Sequence, residues 1–179
     1  MDLEIHKELI ERSKKGHRPS QYKLYKLYSK AMFNTCYRMM NQMEDAEDLL
    51  QDSFADAFRK LDTFVYRSTF GAWLKKIVVN NCINELKRRK PDLKFCDEMP
   101  MAVEIKEQQV ELSVDSVKKA MTKLPEGGRI IFSLYLLEGY DHREISSILN
   151  ISESNSKSQY MRAKRRIKEV LTEEVQYEA

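Results

Sequence analysis

Apolar residues recur at steps of three and four along most of this chain, a rhythm that predicts helices rather than strands. Tyr22, Leu24, Tyr25, Leu27, Tyr28, Ala31, Met32 and Cys36 share one broad face of a first helix. Ala46, Leu49, Leu50, Phe54, Ala57, Phe58 and Leu61 do the same on a second. Its first turn is crowded by Glu44, Asp45, Glu47 and Asp48, where negative charge suits the helix dipole. After a break over residues 62–69, Trp73, Leu74, Ile77, Val78, Cys82, Ile83 and Leu86 line a third helix. That helix should run into Lys87, Arg88, Arg89 and Lys90 and stop before Pro91, because the residue before a proline avoids the α region.

Residues 93–112 lose the rhythm. They are acidic, follow Pro91, contain Pro100, and read as a linker between two domains, 1–92 and 113–179. The second domain starts with Ser113 or Ser116 as an N-cap and a short helix carrying Val117, Ala120, Met121 and Leu124, ended by Pro125. An apolar helix over 129–137 is closed by Gly139. Asp141 can cap the next helix, with Glu144 as its capping-box partner and Ile145, Ile148 and Leu149 inward. The turn Asn150-Ile151-Ser152 leads to a last helix with Tyr160, Ala163, Ile167, Val170 and Leu171 inward. The predicted class is all-α: two small helical domains on a linker.

The net charge of +3 says little, but its distribution says more. Residues 1–92 hold 18 Lys and Arg against 13 Asp and Glu, and residues 93–111 hold 2 against 5. One basic run is Lys87 to Lys90. A second gathers Lys157, Arg162, Lys164, Arg165, Arg166 and Lys168, with no acid from Ser154 to Lys168. Basic runs often belong to solvated helix ends, but two of them closing two helical blocks favour an anionic polymer as partner. Cys36, Cys82 and Cys96 have no CxxC spacing, and no histidine stands at metal-ligand spacing to them. Reduced thiols, no metal, no cofactor and a cytoplasmic protein are expected. The charged start resembles no signal peptide, and no apolar run reaches membrane-spanning length.

A short helix, a tight turn and a basic helix together form a helix-turn-helix pattern, in which the second helix enters the major groove. Its expected outward stripe is Asn155, Gln159, Arg162 and Arg166, residue types that pair with base edges. Lys157, Lys164 and Arg165 lie to the sides, where phosphates would be.

The segment Lys119 to Arg129, with its Leu-Pro-Glu-Gly-Gly core, then Leu134 to Tyr140, Arg143-Glu144-Ile145, Lys157-Ser158 and Arg162 to Arg165, resembles the C-terminal region of extracytoplasmic-function sigma factors. Asp45 to Phe54, Phe70 to Leu74, Ile77, Asn80 and Leu86 to Arg89 resemble the N-terminal region of the same family. The two matches cover most of the chain in the family's order. The resemblance implies a non-enzymatic subunit that binds RNA polymerase core through the β′ clamp helices and the β flap, and that recognises promoter DNA. It assigns Asp48, Gln51 and Asp52 to the clamp contact. It puts Lys75, Lys76, Asn80, Lys87, Arg88 and Arg89 at the downstream (−10) element. In the loop over 63–69, Tyr66 would stack on an extruded base and Arg67 would hold phosphate. Trp73 continues the inward period with Ile77 and reads as core. At the upstream (−35) element stand Asn155, Lys157, Ser158, Gln159, Arg162, Lys164, Arg165 and Arg166. An anti-sigma factor is common for the family and is a further expected partner. Three departures stand out: Ser154-Asn155-Ser156 replaces a small Gly-Thr-Val run, Gln159 a common Arg, and Asn84 a common Asp. Ser156 takes the place of an apolar packing residue, so it either loosens the helix start or needs a hydroxyl partner.

Two other classes compete. A helix-turn-helix regulator that is no polymerase subunit explains residues 113–171 but not the stripe at Asp48 and Gln51. A helical adaptor that binds only protein leaves the basic runs without a role. An enzyme is disfavoured, since no phosphate loop, metal cluster or nucleophile–base set is present in the sequence.

Overall fold

The computed structural model describes residues 6–89 and 114–177, and among them every regular element is helical. The acidic segment 93–112, with Cys96, lies outside the described residues, as does Ser113. The chain divides into two compact units, Met1–Pro91 and Asp92–Ala179.

In the first unit, α1 (Lys7–Lys14) precedes α2 (Arg18–Met40), α3 (Met43–Arg59) and α4 (Phe70–Arg89). A single 3-10 turn, Leu61–Thr63, follows α3. α2 is started by His17, whose Nδ1 accepts the Ser20 N–H at 3.3 Å, with Pro19 in the first turn where its missing N–H costs nothing. It ends on Asn41 in the left-handed conformation (φ 57°). α2, α3 and α4 pack mutually, and α1 lies on α2. Leu24, Met32, Cys36 and Met39 of α2 meet Leu50, Phe54 and Ala57 of α3 and Leu74, Val78 and Cys82 of α4, all buried. Gly71 lets α4 pass close to α2: a methyl group there would meet the Tyr28 ring at 3.0 Å.

The inward stripe of α2 is narrower than its composition predicts. Tyr22 and Leu27, expected inward, are 60% and 52% exposed, while Ser20 and Thr35 are buried. The most deeply packed positions step through 20, 24, 32, 35, 36, 39 and 40, with Tyr25 and Tyr28 half-buried beside them, and Tyr22 and Leu27 fall on the far side. α1 was not separable from its charged surroundings in the sequence, because only Ile10 and Ser13 on it are buried.

In the second unit, α5 (Val114–Thr122) and α6 (Glu126–Phe132) precede a π-helical turn, Ser133–Leu137. Gly139 ends that turn at φ 79°, a conformation glycine adopts without strain. α7 (His142–Leu149) carries the expected capping box: Asp141 accepts the Glu144 N–H at 2.7 Å and Glu144 accepts the Asp141 N–H at 2.9 Å. Asn150, also left-handed (φ 58°), turns the chain into α8 (Glu153–Tyr177), where Ser152 Oγ accepts the Asn155 N–H at 3.0 Å. Ser116 lies inside α5 and is not its cap. The core joins Ala120, Met121, Leu124 and Phe132 to Ala163, Ile167, Val170 and Leu171 of α8. Arg129 is buried beside them, with its guanidinium reaching the Leu124 carbonyl at 3.4 Å and burial pulling its pKa down.

Ser133, at the start of the π-helical turn, is fully buried, and its hydroxyl meets no partner among the described residues. A desolvated hydroxyl without a hydrogen bond is a net cost. Ser133→Ala should therefore raise unfolding free energy by about 1 kcal/mol, measured by urea denaturation. A loss of stability would show that the hydroxyl has a partner in solution.

Candidate nucleic-acid interface

On α3, Asp48, Gln51 and Asp52 are all exposed, on the side opposite Leu50, Phe54 and Ala57. Beside them an open groove between α3 and α4 is lined by Asp52, Asp56, Arg59, Asn81, Asn84, Glu85 and Arg88. Asn81 closes its floor by donating to Ser53 Oγ and to Asp56 Oδ2, both at 3.2 Å. On α4 a line of exposed side chains runs through Lys76, Asn80, Asn84 and Lys87 at helical spacing, with Lys75 half-buried beside it. The structure thus brings three of the expected −10 contacts onto one stripe.

Arg88 and Arg89 are already occupied. Arg88 grips Glu85 with two donors at 2.8 and 2.6 Å. Arg89 shares Glu85 and reaches across to Asp45 of α3, where Nη2 donates to Oδ1 at 2.8 Å. This fastens the end of α4 to the start of α3. These pairs hold the Glu85 carboxyl down at about 2, with Arg88 the larger cause, and lower Asp45 as well. The sequence did contain the signal, since Glu85 and Arg89 stand four apart on one helix, but Asp45 had no such marker.

The loop over 64–69 is shaped from inside. Phe64 is buried against Phe70 and Trp73, with ring centres at 5.9 and 5.3 Å. Trp73, expected as core, is half-buried in this aromatic group. Tyr66 adopts a left-handed backbone (φ 58°), packs on Phe64 at 4.8 Å, and donates its hydroxyl to Glu11 Oε1 at 2.6 Å. The ammonium of Lys14 lies 4.9 Å from the Tyr66 ring centre and donates to the Phe64 carbonyl at 3.0 Å. The Tyr66 hydroxyl, and after it Lys14, hold the Glu11 carboxyl below the usual range. Glu11 and Lys14 were missed as functional neighbours because 55 residues separate Glu11 from Tyr66. Arg67 and Val65 remain exposed on the loop.

On α8 the crest facing solvent is not the expected stripe. Lys157, Ser158, Met161, Lys164, Arg165 and, of the expected stripe, Arg166 are exposed, whereas Asn155 and Arg162 are half-buried and Gln159 is buried at 9% exposure. Ser156 and Gln159, both polar, turn inward with Tyr160, Ala163 and Ile167, which rotates the outward side by about one residue step, roughly 100°. Asn155, Arg162 and Arg166 therefore occupy one shoulder of the helix. Carboxylates partner several of its cations: Lys157 pairs with Glu153 at 2.6 Å, Arg165 with Glu169 at 3.2 Å, and Arg166 with Glu169 at 3.1 Å. The hydroxyl partner that Ser156 needs is His142 Nδ1, at 2.9 Å. No group of metal-ligating side chains occurs among the described residues, and no described helix is long and apolar enough to cross a membrane.

Two family models match the chain in sequence order. Sigma-70 region 2 matches residues 24–91, beginning after α1, and sigma-70 region 4 matches residues 114–167. The ECF RNA polymerase sigma factor SigW of Bacillus subtilis is 25% identical, aligned over 92% of this chain and 96% of its own. The ECF sigma factor SigM of Mycobacterium tuberculosis is 29% identical over 92% of this chain and 83% of its own. Among solved structures, the sigma factor RpoE of Bartonella quintana, crystallised with the anti-sigma factor NepR, is 25% identical. It superposes with a TM-score of 0.56 over 84% of this chain and 96% of its own.

The Glu85 network makes a pH prediction. A carboxyl held at about 2 against 4.5 when free contributes fully above about pH 4.5 and loses that contribution as pH falls toward 2. Glu85→Gln should melt at a lower temperature than the wild type at pH 7, and the gap should shrink steadily by pH 3. A gap that stays constant across that range would mean the pairs contribute nothing in solution.

Proposed function

This chain belongs to the extracytoplasmic-function class of sigma-70 factors, and we propose how its two units divide the work of directing RNA polymerase to a promoter. As a sigma factor it binds the polymerase core and confers promoter-specific transcription initiation. The observation that carries this is the pair of region matches, in the family's order, on two separately packed helical units. A regulator independent of polymerase would have no use for the first of them.

In the proposed division, residues 1–92 are region 2, residues 93–112 a linker, and residues 113–179 region 4. Asp48, Gln51 and Asp52 meet the β′ clamp helices, an assignment supported by their common exposure on α3. Region 4 meets the β flap. Lys76, Asn80 and Lys87 follow the −10 element, with Lys75 at their side. Arg88, which stays largely exposed while paired, can exchange carboxylate for phosphate. Arg89 acts first as the tie to α3. On α8, Lys157, Ser158, Lys164 and Arg165 hold phosphates, and Asn155, Arg162 and Arg166 reach bases of the −35 element from the shoulder. Gln159 contributes from within, as a support for the helix. The role is recognition rather than catalysis, in the cytoplasm where the polymerase works. Similarity to a sigma factor crystallised with NepR supports an anti-sigma partner here too.

Purified chain added to polymerase core should produce initiation at discrete promoters. Asp48→Ala with Gln51→Ala should weaken core binding at least several-fold without loss of helix content, as read by core titration and circular dichroism. Wild-type affinity in the double variant would remove the clamp assignment.

Strand opening provides a second test. In this reading, swinging the Tyr66 ring out to meet a base releases its hydroxyl from Glu11. A base stacked on an aromatic is worth about 1–3 kcal/mol, enough to drive that exchange. Tyr66→Phe, which keeps the ring and drops the bond, should open promoters at least as well as wild type. Tyr66→Ala should impair opening, and a pre-melted bubble template should restore it. Failure of the bubble to rescue Tyr66→Ala would leave Tyr66 as a packing residue of the loop.

A further inference from the structure

The two helices of the helix-turn-helix are joined by a polar contact that neither capping nor apolar packing accounts for. Ser156 sits in the first turn of α8 and is fully buried, and His142 opens α7. Ser156 Oγ and His142 Nδ1 are 2.9 Å apart and share a hydrogen bond. The His142 ring also stacks on Tyr135, with centres 4.4 Å apart and planes at 13°. Tyr160, one turn along α8 from Ser156, leans on Tyr135 at 4.5 Å and on His142 at 5.7 Å. The contact therefore links the start of α7, the start of α8 and the π-helical turn after α6.

A buried hydroxyl must find a partner or be a net cost. An apolar side chain at position 156 would be content over a range of helix rotations, because dispersion contacts have no direction. A hydrogen bond loses its strength as its length and angle depart from ideal. Choosing Ser at 156 thus restricts how far α8 can turn about its own axis. Rotation is the coordinate that matters on this helix, since Asn155 and Arg162 lie on a shoulder, half in and half out. A modest turn either sinks them or lifts them toward a groove.

We infer that His142 and Ser156 are a positioning pair that fixes the rotation of α8, and with it which side chains of that helix reach base edges. The inference rests on the reading of α8 as the helix that binds the −35 element. The surroundings favour an uncharged ring: burial and then Lys157 lower the His142 pKa, against the smaller opposing pull of Glu153 and Asp141. A neutral imidazole keeps one ring nitrogen free to accept from the hydroxyl.

The test uses the full chain bound to polymerase core and a randomised duplex library, with base preference at each position as the readout, well below the melting temperature of every variant. Ser156→Ala and His142→Phe should each flatten preference at the positions read by α8, roughly threefold to tenfold, the range of one net hydrogen bond. Binding to unselected duplex should change much less than base preference, because the long, flexible lysine and arginine stems that hold phosphates can follow a modest turn of α8. The double variant should be no flatter than either single one. His142→Asn, which offers a side-chain amide near the place of Nδ1, should recover part of the preference. Should His142→Phe fail to fold, Ser156→Ala, which removes a single oxygen, carries the test alone. Wild-type preference in Ser156→Ala, or effects that simply add, would overturn the positioning role. Arg162→Ala separates the two levels of the argument. If it flattens preference while Ser156→Ala does not, only the positioning pair is wrong. If it too leaves preference unchanged, the reading of α8 falls, and the pair with it.

Discussion

Each helix in this chain has one narrow stripe to bury, and each unit has few helices to bury it against. Small units bury proportionally little surface, so apolar packing alone leaves their helices loosely oriented. The inward stripe of α2, with Tyr22 and Leu27 left in water, shows how little width is available. The directional contacts found here are where that deficit is met. Arg89 fixes the end of α4 to α3, Glu11 and Lys14 fix the loop after α3 to α1, and the Asp141 box fixes the start of α7. Asp48 lies one turn from the tie between Arg89 and Asp45, and Tyr66 is itself held by Glu11.

The helical class, the capping box at Asp141 and the inward line of α8 from Tyr160 to Leu171 were legible in the sequence. They were legible because each rests on local spacing, which a single strand of text preserves. The exposed stripe of Asp48, Gln51 and Asp52 followed from the same logic. What was hidden depended on pairs distant along the chain. Tyr66 reads as a free aromatic on a polar loop until α1 is seen beneath it. Gln159 reads as outward because polar residues usually are, yet the packing phase of Ala163 and Ile167 carries it inward, beside Ser156, whose packing position was legible. Residue type and helical phase disagreed on α8, and phase won.

Several cations of both units are held by carboxylates on their own helix or its neighbour. Lys157, Arg165 and Arg166 on α8, like Arg88 and Arg89 on α4, have acids three to four residues away or across a helix contact. The most exposed of these pairs, such as Lys157 with Glu153, contribute little to stability. Binding a phosphate chain then becomes an exchange of one anion for another, with the carboxylates returned to water. Such exchange restrains indiscriminate attraction to polyanions, because each new contact displaces an existing one. It also keeps the long side chains extended and aligned before DNA arrives, which lowers the entropy lost on contact.

A π-helical turn is an α-helix that has taken in one extra residue and absorbed it locally. In the second unit that residue lies within Ser133–Leu137, where the Glu138 N–H reaches back five positions to the Ser133 carbonyl at 3.0 Å. The extra residue sets where Tyr135 falls relative to His142 and Tyr160. Losing it would restore ordinary helix geometry, turn the following residues by about 100°, and take Tyr135 off its stack. In lineages descended from this sequence, then, a substitution at the exposed Leu136 of the turn is cheap. A one-residue deletion there is not, because it would change the helix-turn-helix without altering a single residue of it.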